Sequence, residues 1–338
     1  MAQLRPETHQ ALRAALPLCA ALLLALLMWL CPVLAWPLAA LLPLLVVPCV
    51  AKGDWLGALL PLALPCAALV IMGADVAASA ALWLPSALGA ALWLAACRWH
   101  WSFNVRVLGM IGLCAVGNAA LLRLATGGGE IFSTLGRLAT EVLVAPGRAS
   151  ALLWLARAGV LDVSGYSLLD IATASAELQK ALQYQLSEMA LLLVPTLVSE
   201  SAVVVGLLAV MRGEKCAALR SPGEKPAPRF RTLHIPPTYR GYMAVLCLGG
   251  LLLPLAEDQF SRIAGDLMYG VFLGVYRLLG VAVIVFVLSG RHPTRSTFYG
   301  LLGAAGYLLL PTVTLLVGLS DQILNFRALS LLSQEGKS

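Results

Sequence analysis

The chain has 338 residues, 60% hydrophobic and 12% charged, with a formal net charge of +6 and a mean hydropathy of +0.87. A charged fraction near half the ~25% usual for soluble proteins leaves too little polar surface for a globular domain, and the same count excludes disorder. The basic residues make no continuous face and fall in short stretches between apolar runs, a pattern of cytoplasmic loops that argues against a nucleic-acid partner.

A hydrocarbon core ~30 Å thick takes about 20 helical residues. Nine runs free of interior charge clusters suggest spans: Ala14 to Leu34, Leu38 to Ala51, Trp55 to Met72, Ala77 to Cys97, Val105 to Leu124, Met189 to Met211, Tyr242 to Ala256, Leu267 to Ser289 and Phe298 to Leu319. The first follows Arg5 and Arg13 and ends in small residues, as a secretory leader does. Because further apolar runs follow at once, it is read as a retained span. The second is short and holds Pro43 and Pro48, so it either spans or is broken and re-entrant. Between the fifth and sixth runs, residues 125–188 carry mixed charge and are expected outside. Within them 151–161 reads as an interfacial amphipathic segment, and Leu168, Ile171, Leu178, Leu182 and Leu186 recur at helical intervals in a helix that continues into the sixth span.

The stretch Arg212 to Arg240 carries seven basic residues against Glu214 and Glu224, which places it in the cytoplasm. Alternation then puts Lys52, Arg98, Arg106, Arg291 and Arg295 inside, and Asp75, Glu257, Asp258 and Asp266 outside. The expected fold is all-α: a polytopic membrane helix bundle of about eight to nine transmembrane helices with an external helical insertion. Its parts are a six-span region 1–211 that includes the external segment, a basic cytoplasmic linker 212–241 and a three-span region 242–338.

Two ionisable residues fall deep in predicted spans, Glu200 and Arg277, and such residues mark function by default because their burial in lipid is costly. Both spans run from outside to inside, and each residue lies ~15 Å from its outer end at 1.5 Å per residue, so the two share a depth and can pair. Thr196 and Ser199 share a helix face with Glu200. Gly270, Gly274 and Gly280 flank Arg277 and let a neighbouring backbone approach, while Tyr276 adds a hydroxyl. Glu200, Arg277, Thr196, Ser199, Tyr276 and Asn118 are the expected ligand-binding residues. The competing reading is that Glu200 and Arg277 only lock two helices together. Asn118 has its own structural reading, as an interhelical hydrogen-bonding residue.

The eight cysteines form no CxxC and have no histidine at ligand spacing, so they read as small buried hydrophobes. No HExxH, GxSxG or Walker motif occurs, and no catalytic residue, cofactor or metal is expected.

Phe230-Arg231-Thr232-Leu233-His234-Ile235-Pro236-Pro237, the Gly-rich run through Tyr276-Arg277-Leu278-Leu279-Gly280, and the closing Asp321-Gln322-Ile323-Leu324-Asn325-Phe326-Arg327 occur here in order. On these motifs the chain resembles the YybS-like family of bacterial multi-pass membrane proteins (domain of unknown function 2232). That family is similar in its front six spans to the substrate-binding subunits of energy-coupling-factor vitamin transporters. Those subunits capture a vitamin-like nutrient and dock on a membrane coupling protein and its ATPase subunits through small residues of the first helix, here Ala21 and Ala25. The long external segment and the three extra spans depart from that six-helix unit. The resemblance implies a nutrient-binding, transport-associated protein of the bacterial cytoplasmic membrane, in contact with lipid. The alternative is a non-transporting scaffold or regulator acting through the external helix and the basic loop.

Overall fold

The computed structural model describes residues 39–71, 83–125, 131–145, 149–173, 175–220, 229–256, 258–291 and 296–327, with Cys19, Leu22, Leu23, Leu26 and Leu27 from the first apolar run. The rest of that run, including Ala21 and Ala25, lies outside the described residues, as do Asp75, Gly127 to Gly129, the Pro-rich stretch 221–228, Glu257 and Arg295.

Among the described residues every regular element is helical: α1 Pro43–Lys52, α2 Trp55–Ile71, α3 Leu84–Arg98, α4 Phe103–Ala125, α5 Ile131–Leu143, α6 Ala149–Arg157, α7 Leu168–Thr173, α8 Ala176–Arg220, α9 Pro237–Leu252, α10 Gln259–Arg291, α11 Ser296–Leu309 and α12 Pro311–Leu324, with single 3-10 turns at Phe230–Thr232 and Leu253–Leu255. Four of these are long and apolar enough to cross a membrane, α4, α8, α9 with its 3-10 extension, and α10; the bent pair α11–α12 makes at most a fifth. This replaces the expected eight or nine among the described residues. Prolines account for part of the difference. The second run yields only α1, ten residues that open on Pro43 and close where Gly53 turns left-handed at φ 74°. At 1.5 Å per residue α1 covers ~15 Å, about half a hydrocarbon core. It is buried against α8 and α3. The third and fourth runs are described as α2 and α3, of 17 and 15 residues, with 72–82 between them outside the described residues.

The expected ninth span is also corrected. Phe298 to Leu319 breaks into α11 and α12, which meet at 110°. The cause is Pro311, which has no N–H to give the preceding turn and pushes Leu310 out of the helical region to φ −129°, ψ 56°.

Two long helices organise the molecule. α8, 45 residues and ~68 Å long, touches α1, α4, α5 and α10; α10, 33 residues, touches α8, α9, α11 and α12. The front and back halves are thereby joined along α8 and α10. The offset between contacting residues gives their relative direction. A methyl at Gly270 would stand 2.7 Å from the Cβ of Ser199, and one at Gly274 3.3 Å from a methyl of Val203. The sequence offset is the same at both contacts, so the two helices run in the same direction. This GxxxG face lets the backbones close, which in lipid is where helix association finds its van der Waals gain.

The helix expected to run from Leu168 through Glu188 into the sixth span is split: α7 ends at Thr173, and α8 begins at Ala176 and continues through that span. Leu152, Leu161, Ile171, Leu178 and Leu182 form a small core of their own. The expected amphipathic segment is α6, Ala149–Arg157. α5, which the sequence reading did not single out, packs its Gly136 onto Gln183 and Ser187 of α8. At the opposite end of α8, Cys49, Val50, Trp93, Ala209 and Val210 share one core. There Arg106 of α4 donates to Glu214 of α8 at 2.7 Å and lies over the Trp93 ring at 5.6 Å. Lys52, Arg98, Arg106 and Arg212 thus belong to helix ends gathered at one end of the bundle.

Candidate functional site

Glu200 of α8 and Arg277 of α10 meet. Arg277 Nη1 donates to Glu200 Oε1, and both side chains are about four-fifths buried. The parallel register puts Arg277 more than a turn beyond Glu200 along the bundle. The contact closes because helical side chains lean toward their own N-terminus and arginine is long. Among the described residues, the buried Nε of Arg277 has no hydrogen-bond partner, and neither has the buried hydroxyl of Tyr307 on α11. Tyr307 lies within electrostatic reach of the Arg277 guanidinium. The α8–α10 contact therefore holds a carboxylate and an unused guanidinium N–H, and α11, which packs on α10, brings a phenol hydroxyl into the electrostatic range of that guanidinium.

Of the other expected residues, Ser199 is fully buried, and its Oγ sits 2.8 Å from the carbonyl of Pro195 and 3.0 Å from that of Leu267 on α10. Ser199 therefore ties α8 to α10 beside the pair and serves the interface. Thr196 is half-buried, with its Cα 3.6 Å from the position a Gly270 methyl would take. It stands one turn before Glu200, at the edge of the same contact. Tyr276 departs from the expectation: its ring packs at 4.8 Å from Phe272 and among Leu207, Met243 and Leu279. Next in sequence to Arg277, it is turned about 100° around the helix and faces the apolar core.

Asn118 stands apart as well. Its Nδ2 donates to Ser201 Oγ at 3.3 Å, while its Oδ1 is buried without a partner among the described residues. Ser201 follows Glu200 on a different face of α8, so Asn118 belongs to the α4–α8 contact.

Sequence reasoning missed a second buried pair. Arg327 Nε and Nη2 donate to Asp321 Oδ2 at 3.0 and 2.6 Å, and its Nη1 donates to the carbonyl of Arg231 at 3.2 Å. Arg240 Nη2 donates to the carbonyl of Gln322 at 3.2 Å. The two motifs at Phe230–Pro237 and Asp321–Arg327 were read separately and are in contact. Their separation in sequence hid this, although the Asp-to-Arg spacing within the closing motif was visible. Tyr307 was missed because a lone tyrosine in an apolar run carries no signal.

No group of three or more His, Cys, Asp or Glu side chains among the described residues is placed to hold a metal. No family model, curated protein or solved structure matches the chain.

Proposed function

We propose that this is a transport-associated protein of the bacterial cytoplasmic membrane that binds a small polar, nutrient- or vitamin-like molecule within its helix bundle, at Glu200 and Arg277. The observation that carries the reading is an ion pair between two apolar helices with a guanidinium N–H and a neighbouring hydroxyl left over. A pair retained only to lock helices gains little over well-packed apolar side chains. In a bundle that has already lowered the cost of proximity with Gly270 and Gly274, charges at the same contact are better accounted for by a ligand. A molecule carrying a carboxylate or phosphate would take donors from Arg277 and Tyr307, and one carrying an amine would share Glu200. Membrane coupling proteins and ATPase subunits are the partners this reading implies.

The test is native mass spectrometry of protein released gently from its own membrane, comparing wild type with Glu200→Gln and Arg277→Met. A small-molecule adduct present in wild type and absent from both folded variants supports the reading. Lipid alone in all three, with both variants destabilised, leaves the pair as a helix lock and turns the assignment to a scaffold. Exposed Trp154, Leu169 and Tyr184 around the small core of Leu178 and Leu182 favour that second reading as a partner surface.

A further inference from the structure

A cleft of about 80 Å³ opens between α4, α8, α9, α10 and the segment before α9. Its walls are apolar, including Val107, Ile111, Leu207, Met243 and Leu279, and its polar lining is confined to Asn104, His234 and Tyr239. Ser102 and Tyr239 approach to 3.5 Å, linking the starts of α4 and α9 beside it. The cleft is therefore at the end of the bundle where apolar spans give way to charge: Arg106 and Glu214 on one side, Arg229, Arg231 and Arg240 on the other.

The charge around it is one-sided. Glu214 is paired with Arg106, and Asp321 with Arg327. Against the one further carboxylate described at this end, Asp54 beside Lys52, the basic residues Arg212, Lys215, Arg229, Arg231 and Arg240 leave it positive among the described residues. Arg240, next to the lining residue Tyr239, spends one N–H on the carbonyl of Gln322 and stays exposed, as does His234. An apolar slot with a basic rim at the cytoplasmic boundary matches an anionic phospholipid of the inner leaflet, whose chain and phosphate demand opposite surroundings a few ångströms apart.

We propose that the cleft seats part of an acyl chain of an anionic phospholipid, with the headgroup phosphate held by Arg240 and His234. The cleft is small against a whole acyl chain and open on one side. It accordingly holds a short stretch of chain, and the remainder follows the open side of the groove.

The experiment places the full-length protein in nanodiscs of mixed phosphatidylcholine and phosphatidylglycerol, then counts retained lipid by native mass spectrometry. Wild type is expected to retain phosphatidylglycerol over phosphatidylcholine. Arg240→Gln should lower that preference about fivefold, as removal of one basic contact at an anionic surface does, and His234→Ala, which removes a hydrogen-bonding ring nitrogen, should lower it by a smaller factor. Val107→Trp, which fills the cleft, should remove the retained lipid. Equal retention of the two lipids by wild type overturns the proposal, as does undiminished phosphatidylglycerol on folded Val107→Trp. If Val107→Trp does not fold, the charge variants decide: an unchanged preference in both overturns it too.

Discussion

Glu200 and Arg277 pose one question at the residue scale, whether the bundle or a ligand needs the charges, and stability and binding separate the answers. Removing one partner strands the other in apolar surroundings, and a cost of about 3 kcal/mol is expected for Glu200→Gln. The double variant Glu200→Gln, Arg277→Met removes both charges and should recover most of that loss, to within ~1 kcal/mol of wild type. Unfolding midpoints in mild detergent check this; a double variant as damaged as the sum of the singles shows that the pair is uncoupled. Asp321 and Arg327 should behave alike, with Asp321→Asn destabilising by about 3 kcal/mol, because Arg327 is less than a tenth exposed. Restored stability in Asp321→Asn, Arg327→Met would attribute that loss to the stranded arginine.

At the scale of elements, the closest helix contact is that of α10 with α12. A methyl on Gly280 would run into the backbone of Thr314, and one on Gly318 into that of Tyr276. Backbone cannot step aside as a flexible side chain can. Gly280→Ala and Gly318→Ala should each cost about 1–3 kcal/mol, whereas Gly300→Ala, which meets open space, should cost nothing measurable. Equal midpoints for all three would refute this packing. In the segment between α4 and α8, Ser167 and Asp170 exchange hydrogen bonds at the start of α7, with Ser167 N donating to Asp170 Oδ2 at 3.0 Å and Asp170 N to Ser167 Oγ at 3.2 Å. The Ser167 hydroxyl and N–H together hold the Asp170 carboxyl below its ordinary value. A depressed carboxyl pKa stabilises the folded form above the unfolded pKa, and that contribution disappears as pH falls through the folded one. Hydrogen exchange across 167–173 should therefore quicken in acid beneath the usual carboxylate range in wild type. Asp170→Asn should show the faster rate at neutral pH and no such acid step; an identical acid step in the variant would rule the carboxylate out.

At the scale of the whole molecule, the threading follows from which ends touch. Gly249 and Gly250 of α9 face Met268 and Tyr269 of α10, and Pro254 lies on Gly265. α9 and α10 are thus antiparallel, so α9 begins where α10 ends. Arg327 is clasped to Arg231 just before α9, and α11 starts just after α10 ends. The 110° turn of the α11–α12 pair fits a broken span or a re-entrant hairpin, and the clasp of Arg327 to Arg231 predicts the hairpin. Single cysteines introduced in a cysteine-free background at Arg229 and Asn325 should label from the same face of the membrane, and one at Asp258 from the other. Labelling of Asn325 together with Asp258 would restore a full crossing.

The sequence by itself determined the solvent: hydropathy and charge sum over residues without regard to neighbours, and they marked the apolar runs from which α4, α8, α9 and α10 are built, α4 to within two residues at each end. It also marked Glu200 and Arg277, because an ionisable group in an apolar run stands out whatever it touches. Helix rotation and register decided the rest. They turned Tyr276 and Asn118 away from the pair, brought Tyr307 within reach of Arg277, and set Asp321 and Arg327 against Arg231. A continuous apolar run likewise looks the same whether its helix crosses or folds back. At α11–α12 the tertiary structure adds the break at Pro311, which ends one helix and begins the next, and the clasp that holds the far end beside α9, a contact between residues almost a hundred positions apart.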